Sequence, residues 1–333
     1  MIRFGIAGFG LHAVRRLMPG FSLSKNCRVT ALSRRNLAEA KQSAAEYHIP
    51  LAFDSVEELC RSSEVDAVLV TTPNSSHLHD VLAAVKAGKH VLCEKPMAMN
   101  AGECQQMVEA ARKEKVLLGI AHVFRFDESV NKIRNLIASG AIGRPVFARS
   151  EFSFLAGPAH PRKWLYDAAV AGGGPIFDIG VHCIDTLRFI LQDEILRVSA
   201  TAARDSQSGT VESAASLTLE FSRGTLGTLL VSFRAEYRTP LEIVGDAGVL
   251  RAEDALNVEH PIDIEVRSND AHFVRESANN KLAYALQVDA FADAIEGKSE
   301  FPAPGEEGWR NQEVLDAALR SIRNGKSEAV PQV

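Results

Sequence analysis

Asp178 and His182 are the two side chains in this sequence best suited to move a proton. They lie four residues apart in the stretch GGGPIFDIGVHCIDTLRFIL, residues 172–191. The apolar residues around them predict a buried helix with Pro175 in its first turn, and this spacing places both side chains on one helix face. An imidazole titrates near neutral pH, so together with a carboxylate it can exchange a proton with a hydroxyl group. Gly180 weakens the helix between them, which indicates a close neighbour such as a cofactor or a strand.

Each of these two residues also has a structural interpretation. A lone aspartate at the start of a helix is typical of a terminal carboxylate, and a lone histidine on an apolar helix is typical of a hydrogen-bonded core residue. The pair, combined with a suitably placed cation elsewhere in the chain, favours catalysis. Asp185 follows three residues after His182. It could orient the imidazole or form a salt bridge.

Lys95 is the candidate cation. It belongs to HVLCEKP, residues 90–96, in which a predicted strand ends at Glu94, Lys95 and Pro96. Ligands of open α/β sheets gather at the carboxyl ends of strands, where a lysine can polarise a substrate hydroxyl or carbonyl. Pro96 restricts Lys95 to an extended backbone and so holds its direction. Taken alone, such a charged pair before a proline is more typical of a solvated loop.

A glycine-rich turn near the amino terminus predicts a dinucleotide site. Residues 8–13, GFGLHA, follow the first predicted strand, open a helix and fit the pattern G-x-G-x-x-G/A. Gly8 permits the tight turn, and Gly10 lets the backbone approach a pyrophosphate on the helix N-terminus. We therefore expect the turn to bind the cofactor through Gly8, Phe9, Gly10 and Leu11.

The end of the second predicted strand bears on the choice of cofactor. NAD-binding domains normally carry an acidic residue here that holds the ribose 2′-hydroxyl, whereas this chain has Ser33, Arg34 and Arg35. A hydroxyl and two guanidinium groups suit a 2′-phosphate. The sequence therefore predicts NADP(H) in preference to NAD(H), although an exposed basic turn would look the same.

The elements that position these residues fall into two regions. Up to residue 123, short β-branched runs alternate with helical patterns, which predicts a doubly wound Rossmann domain on a parallel sheet. From residue 124 to residue 333, alternating runs separated by Gly and Asp turns predict an α+β domain on a large, open, mainly antiparallel sheet. Two predicted helices close the chain and are candidates to pack back on the first domain.

Four motifs in this order resemble the Gfo/Idh/MocA oxidoreductases, the family of glucose–fructose oxidoreductase and inositol dehydrogenase. They are the glycine turn, TTPNSSH, Glu-Lys-Pro and GGGPIFDIGVHCID, and the resemblance runs nearly end to end. It implies nicotinamide-dependent chemistry on sugars or polyols, with Lys95, Asp178 and His182 as the catalytic residues. It also implies a frequently cis Lys95–Pro96 bond and further cofactor contacts at Thr72, Pro73, Asn74, His77, Glu94, Lys95 and Trp164.

These residues together predict reversible hydride transfer to or from a secondary alcohol. His182 would act as the general base or acid, Lys95 would polarise the oxygen, and Asp178 would fix a neighbouring hydroxyl. Arg125 and Trp164 complete the predicted substrate contacts, but Arg125 is equally typical of a structural ion pair. Substrate selectivity is expected from the loop 152–164 and from the second sheet.

Two other functions remain open at this stage. The first is a glycosidase-like or lyase-like enzyme that oxidises and re-reduces its substrate with a retained nicotinamide. The second is a non-catalytic NADP-binding regulator, against which the presence of all three catalytic residues argues.

Composition and net charge indicate which classes of partner the protein binds. The 333 residues carry a net charge of −5, are 46% hydrophobic and 24% charged, and lack a secretory signal or a long apolar stretch. This balance is typical of a cytoplasmic protein that binds neither nucleic acid nor membrane. Five scattered cysteines indicate a reducing compartment and no metal site. An open sheet would expose one face, so we expect a homodimer or homotetramer formed through the second domain's sheet.

Overall fold

The computed structural model describes residues 1–156, 160–206, 208–269 and 273–333. The strands in these ranges are β1 (Ile2–Ala7), β2 (Cys27–Ser33), β3 (Leu51–Phe53), β4 (Ala67–Val70), β5 (His90–Cys93), β6 (Leu118–Ile120), β7 (Pro145–Ser153), β8 (Ile195–Ala203), β9 (Ala214–Phe221), β10 (Leu226–Ser232), β11 (Leu241–Gly245), β12 (Gly248–Ala252), β13 (Ile262–Ser268), β14 (Phe273–Ala278) and β15 (Glu328–Ala329). The α-helices are α1 (Met18–Leu23), α2 (Leu37–Glu46), α3 (Val56–Arg61), α4 (Asn74–Lys86), α5 (Ala101–Glu114), α6 (Glu128–Ala138), α7 (Ala168–Ala171), α8 (Val181–Leu191), α9 (Ala283–Ile295) and α10 (Gly305–Asn324). Short 3₁₀ segments occur at Val123–Phe126 and Lys163–Tyr166, and π-helical turns at Ala13–Leu17 and Ile176–Gly180.

The first of two compact units comprises residues 1–123 and 282–309. Its six-stranded sheet has the order β3-β2-β1-β4-β5-β6, and every neighbouring pair is parallel. This is the strand order of a dinucleotide-binding Rossmann domain, whose ligand site lies at the carboxyl ends of the strands. Strand β4 is buried along its whole length, as its continuous apolar sequence predicts. The core lies between this sheet and helices such as α4 and α5.

The second unit comprises residues 124–281 and 310–333. Its nine-stranded sheet has the order β14-β13-β12-β11-β7-β10-β9-β8-β15. Among the described strands, β7 and β10 pair in parallel and the other neighbours are antiparallel. Buried and exposed residues alternate along β9, so this part of the sheet has one core face and one open face. Helix α8 packs on β7 from the core side.

The predicted fold class is confirmed in both parts. The parallel sheet and the large, mostly antiparallel second sheet are both present. Strands β3, β12, β14 and β15 were not predicted, because they are short or carry little apolar pattern. The unit boundary within α10 assigns α9 to the first unit. Of the helices in the described ranges, none is long and apolar enough to cross a bilayer.

Candidate active site

The glycine-rich turn after β1 has the geometry of a pyrophosphate cradle. Gly8 has a φ of +81°, and a Cβ there would lie 2.7 Å from the Thr72 side chain, so only glycine fits. At Gly10 an added Cβ would have a single neighbour within 4 Å, the Gly8 carbonyl oxygen at 3.7 Å. The helix begins at Leu11, and the first backbone N–H groups of a helix have no intrahelical partner. The residues present therefore fit a bound dinucleotide.

Phe9 and Ser33, two residues predicted to contact the cofactor, connect the glycine turn to β2. Phe9 is buried, its ring lies 5.4 Å from that of Tyr47, and its N–H donates to the Ser33 carbonyl at 2.9 Å. Ser33 is itself buried at the end of β2. These contacts fasten the glycine turn to β2. A ligand contact from Phe9 or Ser33 stays a prediction without geometric support.

The two adjacent arginines are held differently. Arg34 donates to the Ser43 hydroxyl at 2.8 Å and to the Glu39 carboxylate at 2.6 Å, so α2 already engages its guanidinium. Arg35 is exposed, and within the described ranges its side chain makes no hydrogen bond or ion pair. Of the two, Arg35 is the one whose charge is available to a ligand.

Threonines at the end of β4 hold the glycine turn in place. The hydroxyl of Thr71 donates to the carbonyl oxygens of Ala7 and Gly8, at 3.0 and 2.9 Å. Thr72 donates to Asp80 at 2.6 Å, and Pro73 is the N-cap of α4, which begins at Asn74. Thr71 was missed by sequence analysis, because its role depends on a partner 63 residues away.

His77 lies fully buried between two loops. Its Nε2 lies 2.8 Å from the Thr72 carbonyl oxygen, and its Nδ1 lies 3.1 Å from that of Pro96 and 3.3 Å from that of Met97. Burial lowers the pKa of the His77 imidazole, and the hydrogen bonds to the backbone oppose that shift only in part. His77 therefore ties the loop after β4 to the loop after β5. These contacts support a structural role for His77, and its contact with the cofactor stays a prediction.

The Glu-Lys-Pro segment is linked directly to the glycine turn. His12 Nε2 lies 2.9 Å from Glu94 Oε1. Burial alone would raise the pKa of the Glu94 carboxyl, but His12, and to a lesser extent Lys95 and His77, outweigh burial and hold it below its usual range. Lys95 is half-buried, and its peptide bond to Pro96 is cis, as the family resemblance implies. Glu94 is thus an anchor for the loop that presents Lys95.

The triple glycine in the second unit accommodates two neighbours. A Cβ on Gly172 or Gly173 would lie 2.5 or 2.7 Å from the Phe177 ring, which covers both residues. A Cβ on Gly174 would lie 2.1 Å from the backbone carbonyl oxygen of Glu212. The entrance to the helix is therefore too crowded for side chains.

Asp178 and His182 follow on a buried helix, as predicted. Its first turn is π-helical (Ile176–Gly180), not α-helical, and α8 continues from it. Such turns occur often at functional sites. Asp178 is 7% exposed and His182 is 9% exposed. The neighbour of Gly180 outside the helix is a strand, with Val231 of β10 at 3.6 Å from an ideal Cβ.

Aromatic rings and an arginine surround this pair. The Phe124 ring lies edge-on to the His182 imidazole at 4.6 Å, and the Phe152 ring stacks on it at 6.1 Å. Arg162 approaches Asp178 at 3.7 Å. Sequence analysis assigned no role to Phe124 or Arg162, since their contacts with His182 and Asp178 arise only from tertiary packing. Of the predicted selectivity loop, residues 157–159 lie outside the described ranges.

Arg125 forms a buried ion pair. Its Nε and Nη2 donate to the carboxylate of Asp185, with the shortest contact at 2.6 Å, and both side chains are buried. The geometry favours the structural alternative over a substrate contact for Arg125. It also gives Asp185 a partner other than His182. Arg125 directly follows Phe124, so the ion pair fixes the backbone next to the ring that contacts His182. Trp164 is half-buried in the 3₁₀ turn, and a ligand contact from it stays a prediction.

The side chains of each unit support a particular kind of chemistry. The first unit combines a dinucleotide cradle with a lysine at the carboxyl end of β5. The second unit presents an imidazole and a carboxylate in a largely water-excluded, aromatic setting, which suits proton exchange with a polar substrate. No group of three or more potential metal ligands occurs in the described ranges. The fold and these residues define a nicotinamide-dependent oxidoreductase with a Rossmann domain.

Comparisons with known proteins identify the family. Residues 2–122 match the oxidoreductase family with an NAD-binding Rossmann fold, and residues 130–251 match the GFO/IDH/MocA C-terminal domain. A 1,5-anhydro-D-fructose reductase from Ensifer adhaerens is 34% identical over 99% of this chain and 99% of that protein. The chain belongs to the GFO/IDH/MocA oxidoreductase family.

Two further relatives extend the comparison. A D-xylose 1-dehydrogenase (NADP(+)) 2 from Haloferax volcanii is 30% identical over 97% of this chain and 98% of that protein. The crystal structure of an aldose-aldose oxidoreductase from Caulobacter crescentus, complexed with glycerol, is 25% identical with a TM-score of 0.91. That match covers 98% of this chain and 99% of the other.

Proposed function

We propose that this protein transfers a hydride between a nicotinamide coenzyme and a secondary alcohol or ketone of a sugar, an inositol or a related polyol. The observation that carries the proposal is the pairing of Asp178 and His182, both nearly buried, at the start of one helix. Titratable side chains that a fold buries close to one another are candidates for function. Relatives named as sugar reductases and dehydrogenases support the substrate class.

Each residue has a defined part in the proposed reaction. A bound nicotinamide coenzyme supplies the hydride acceptor in oxidation and the hydride donor in reduction. His182 holds the proton of the reacting hydroxyl as general base and returns it as general acid. Lys95 stabilises negative charge on a substrate oxygen, and Asp178, near Arg162, accepts a hydrogen bond from a substrate hydroxyl. Phe124 and Phe152 limit the access of water to the imidazole.

We further propose NADP(H) as the preferred coenzyme, with NAD(H) as an alternative. The available charge of Arg35 supports this preference, since a guanidinium recognises a phosphate through charge-assisted hydrogen bonds. We also propose that the protein forms a homodimer or homotetramer through the open face of the second sheet. Exposed Phe147 and Leu226, which are neighbours in register on β7 and β10, support this interface.

Substitution of the catalytic residues tests the proposed function. We expect wild-type protein to reduce keto-sugars with NADPH, and Lys95→Ala and His182→Asn to lower kcat by about 10²–10⁴-fold, the usual contribution of a positioned acid, base or charge. Coenzyme Kd should change little in either variant. Lys113→Ala and His79→Asn, at exposed positions, are the matched controls. Wild-type turnover in both catalytic variants would overturn the proposed roles.

A further inference from the structure

We propose that Glu212 is a positioning residue for the helix that carries Asp178 and His182. Glu212 lies on the segment between β8 and β9, more than 30 residues from the helix, and belongs to none of the sequence motifs. The catalytic consequence of this role rests on the function proposed above. The structural part, a buried carboxylate that caps the helix, stands on contacts within the second unit.

Glu212 completes the N-terminus of the helix. Its Oε1 accepts the backbone N–H of Gly174 at 2.9 Å and that of Ile176 at 3.0 Å. Pro175, between them, has no N–H to satisfy. The next two N–H groups, of Phe177 and Asp178, both donate to the Gly174 carbonyl oxygen at 3.0 Å. A single carboxylate oxygen therefore accepts two of the N–H groups that a helix N-terminus normally leaves unpaired.

The segment around Glu212 is itself held in place. Ser213 donates its N–H to the Ala203 carbonyl at 2.8 Å and accepts the N–H of Phe233 at 2.9 Å, which fastens the segment to the ends of β8 and β10. Thr210 donates its N–H to the Tyr166 carbonyl at 3.0 Å, and its hydroxyl accepts the N–H of Ala168 at 2.8 Å. The same segment thus braces both the helix entrance and the turn that follows Arg162.

Glu212 is buried and packs closely against the entrance to the helix. The Glu212 residue is 5% exposed, and its backbone carbonyl lies directly against Gly174. Burial raises the pKa of the Glu212 carboxyl, and the hydrogen bonds from Gly174 and Ile176 offset this rise only in part. Removal of the acceptor would leave two buried N–H groups unpaired, which is more costly than the loss of the hydrogen bonds themselves. The first turn, including Asp178, would then shift or fray.

Substitutions at Glu212 separate capping from packing. Glu212→Gln keeps an oxygen acceptor at the same reach, whereas Glu212→Leu fills similar space without one. We expect Glu212→Leu to lower kcat by about 10–100-fold, the effect of a small misplacement of catalytic groups, with coenzyme Kd within about twofold of wild type. Glu212→Gln should restore kcat to within about threefold. Val198→Ala, a buried change on β8, controls for lost stability alone and should leave kcat unchanged.

Hydrogen exchange provides a readout that needs no substrate. The Gly174 and Ile176 amides should exchange at least about tenfold faster in Glu212→Leu than in wild type, and remain protected in Glu212→Gln. Glu212→Asp, shorter by one methylene, should be intermediate and serves if the leucine variant does not fold. If wild-type protein turns over no substrate, the proposed function fails, and exchange still decides the role of Glu212. Unchanged protection in Glu212→Leu and Glu212→Asp, or equal loss of kcat in Glu212→Gln and Glu212→Leu, would overturn the inference.

Discussion

Arg34 and Arg35 are adjacent after the end of β2, yet of the two only Arg34 has its guanidinium engaged by other side chains in the described ranges. We expect Arg35→Ser to raise the Kd of NADPH by about 10–100-fold, because one charge-assisted hydrogen bond contributes roughly 1.5–3 kcal/mol. The Kd of NADH should change little, since it has no 2′-phosphate. Fluorescence titration with each coenzyme measures both constants.

Arg34→Ser is the matched control for this prediction. The Arg34 side chain is already paired with Glu39 and Ser43, so its loss should weaken NADPH binding less than the loss of Arg35. Equal weakening of NADPH and NADH binding by Arg35→Ser would contradict a 2′-phosphate contact.

At the level of single residues, sequence analysis located the candidate catalytic side chains better than their partners. Asp178 and His182 were found because their spacing lies within one helix, where geometry follows from the chain itself. The environment of His77 depends on carbonyl oxygens of a loop 19 and 20 residues away, and that of Arg125 on a carboxylate 60 residues away. Such contacts arise only from tertiary packing, so sequence alone could not distinguish ligand contacts from internal supports.

The glycines of the helix entrance differ in how much space surrounds them. Gly174 faces a backbone carbonyl at a distance that no Cβ tolerates, whereas an added Cβ on Gly180 would make ordinary contacts of 3.4 Å or more. We expect Gly174→Ala to lower the free energy of unfolding by about 1–3 kcal/mol through overpacking. Gly180→Ala should be neutral or stabilising by up to about 1 kcal/mol, as expected for alanine in a helix. Urea unfolding of the two variants measures the difference.

Gly180→Ala also tests the need for a glycine near His182. Equal destabilisation by both substitutions would contradict the packing described for Gly174. If Gly180→Ala is stable but slow in turnover, the glycine provides room for a ligand and not for the strand β10.

Strands and helices were predictable from the sequence where one periodic pattern of apolar residues dominated. The alternation of short apolar runs and helices up to residue 123 indicated the parallel sheet, because each crossover requires a helix. The parallel pairing of β7 with β10 was not predictable, since these strands are separated by helix α8 and two antiparallel strands. The π-helical first turn before α8 leaves no mark in residue spacing.

For the molecule as a whole, the open face of the second sheet predicts self-association. Phe147 is 54% exposed and Leu226 is 47% exposed, and the two residues pair in register. Contiguous exposed apolar residues of this kind mark interfaces. We expect light scattering at micromolar concentration to give a dimer or tetramer, and the double variant Phe147→Lys with Leu226→Lys to give a monomer. Leu23→Lys, at an exposed position in the first unit, is the control. A monomeric wild type would contradict the proposed interface.

Transfer of deuterium from the coenzyme is the most direct test of the proposed activity. NADPH labelled at C4, prepared separately with each of its two stereochemical placements, is incubated with keto-sugars, and the products are analysed by mass spectrometry. Hydride transfer predicts one deuterium on the new carbinol carbon from one of the two labelled forms, with one equivalent of NADP⁺ formed per product. A product without deuterium from either labelled form, or turnover without net coenzyme oxidation, would contradict the proposal and favour an internal redox cycle.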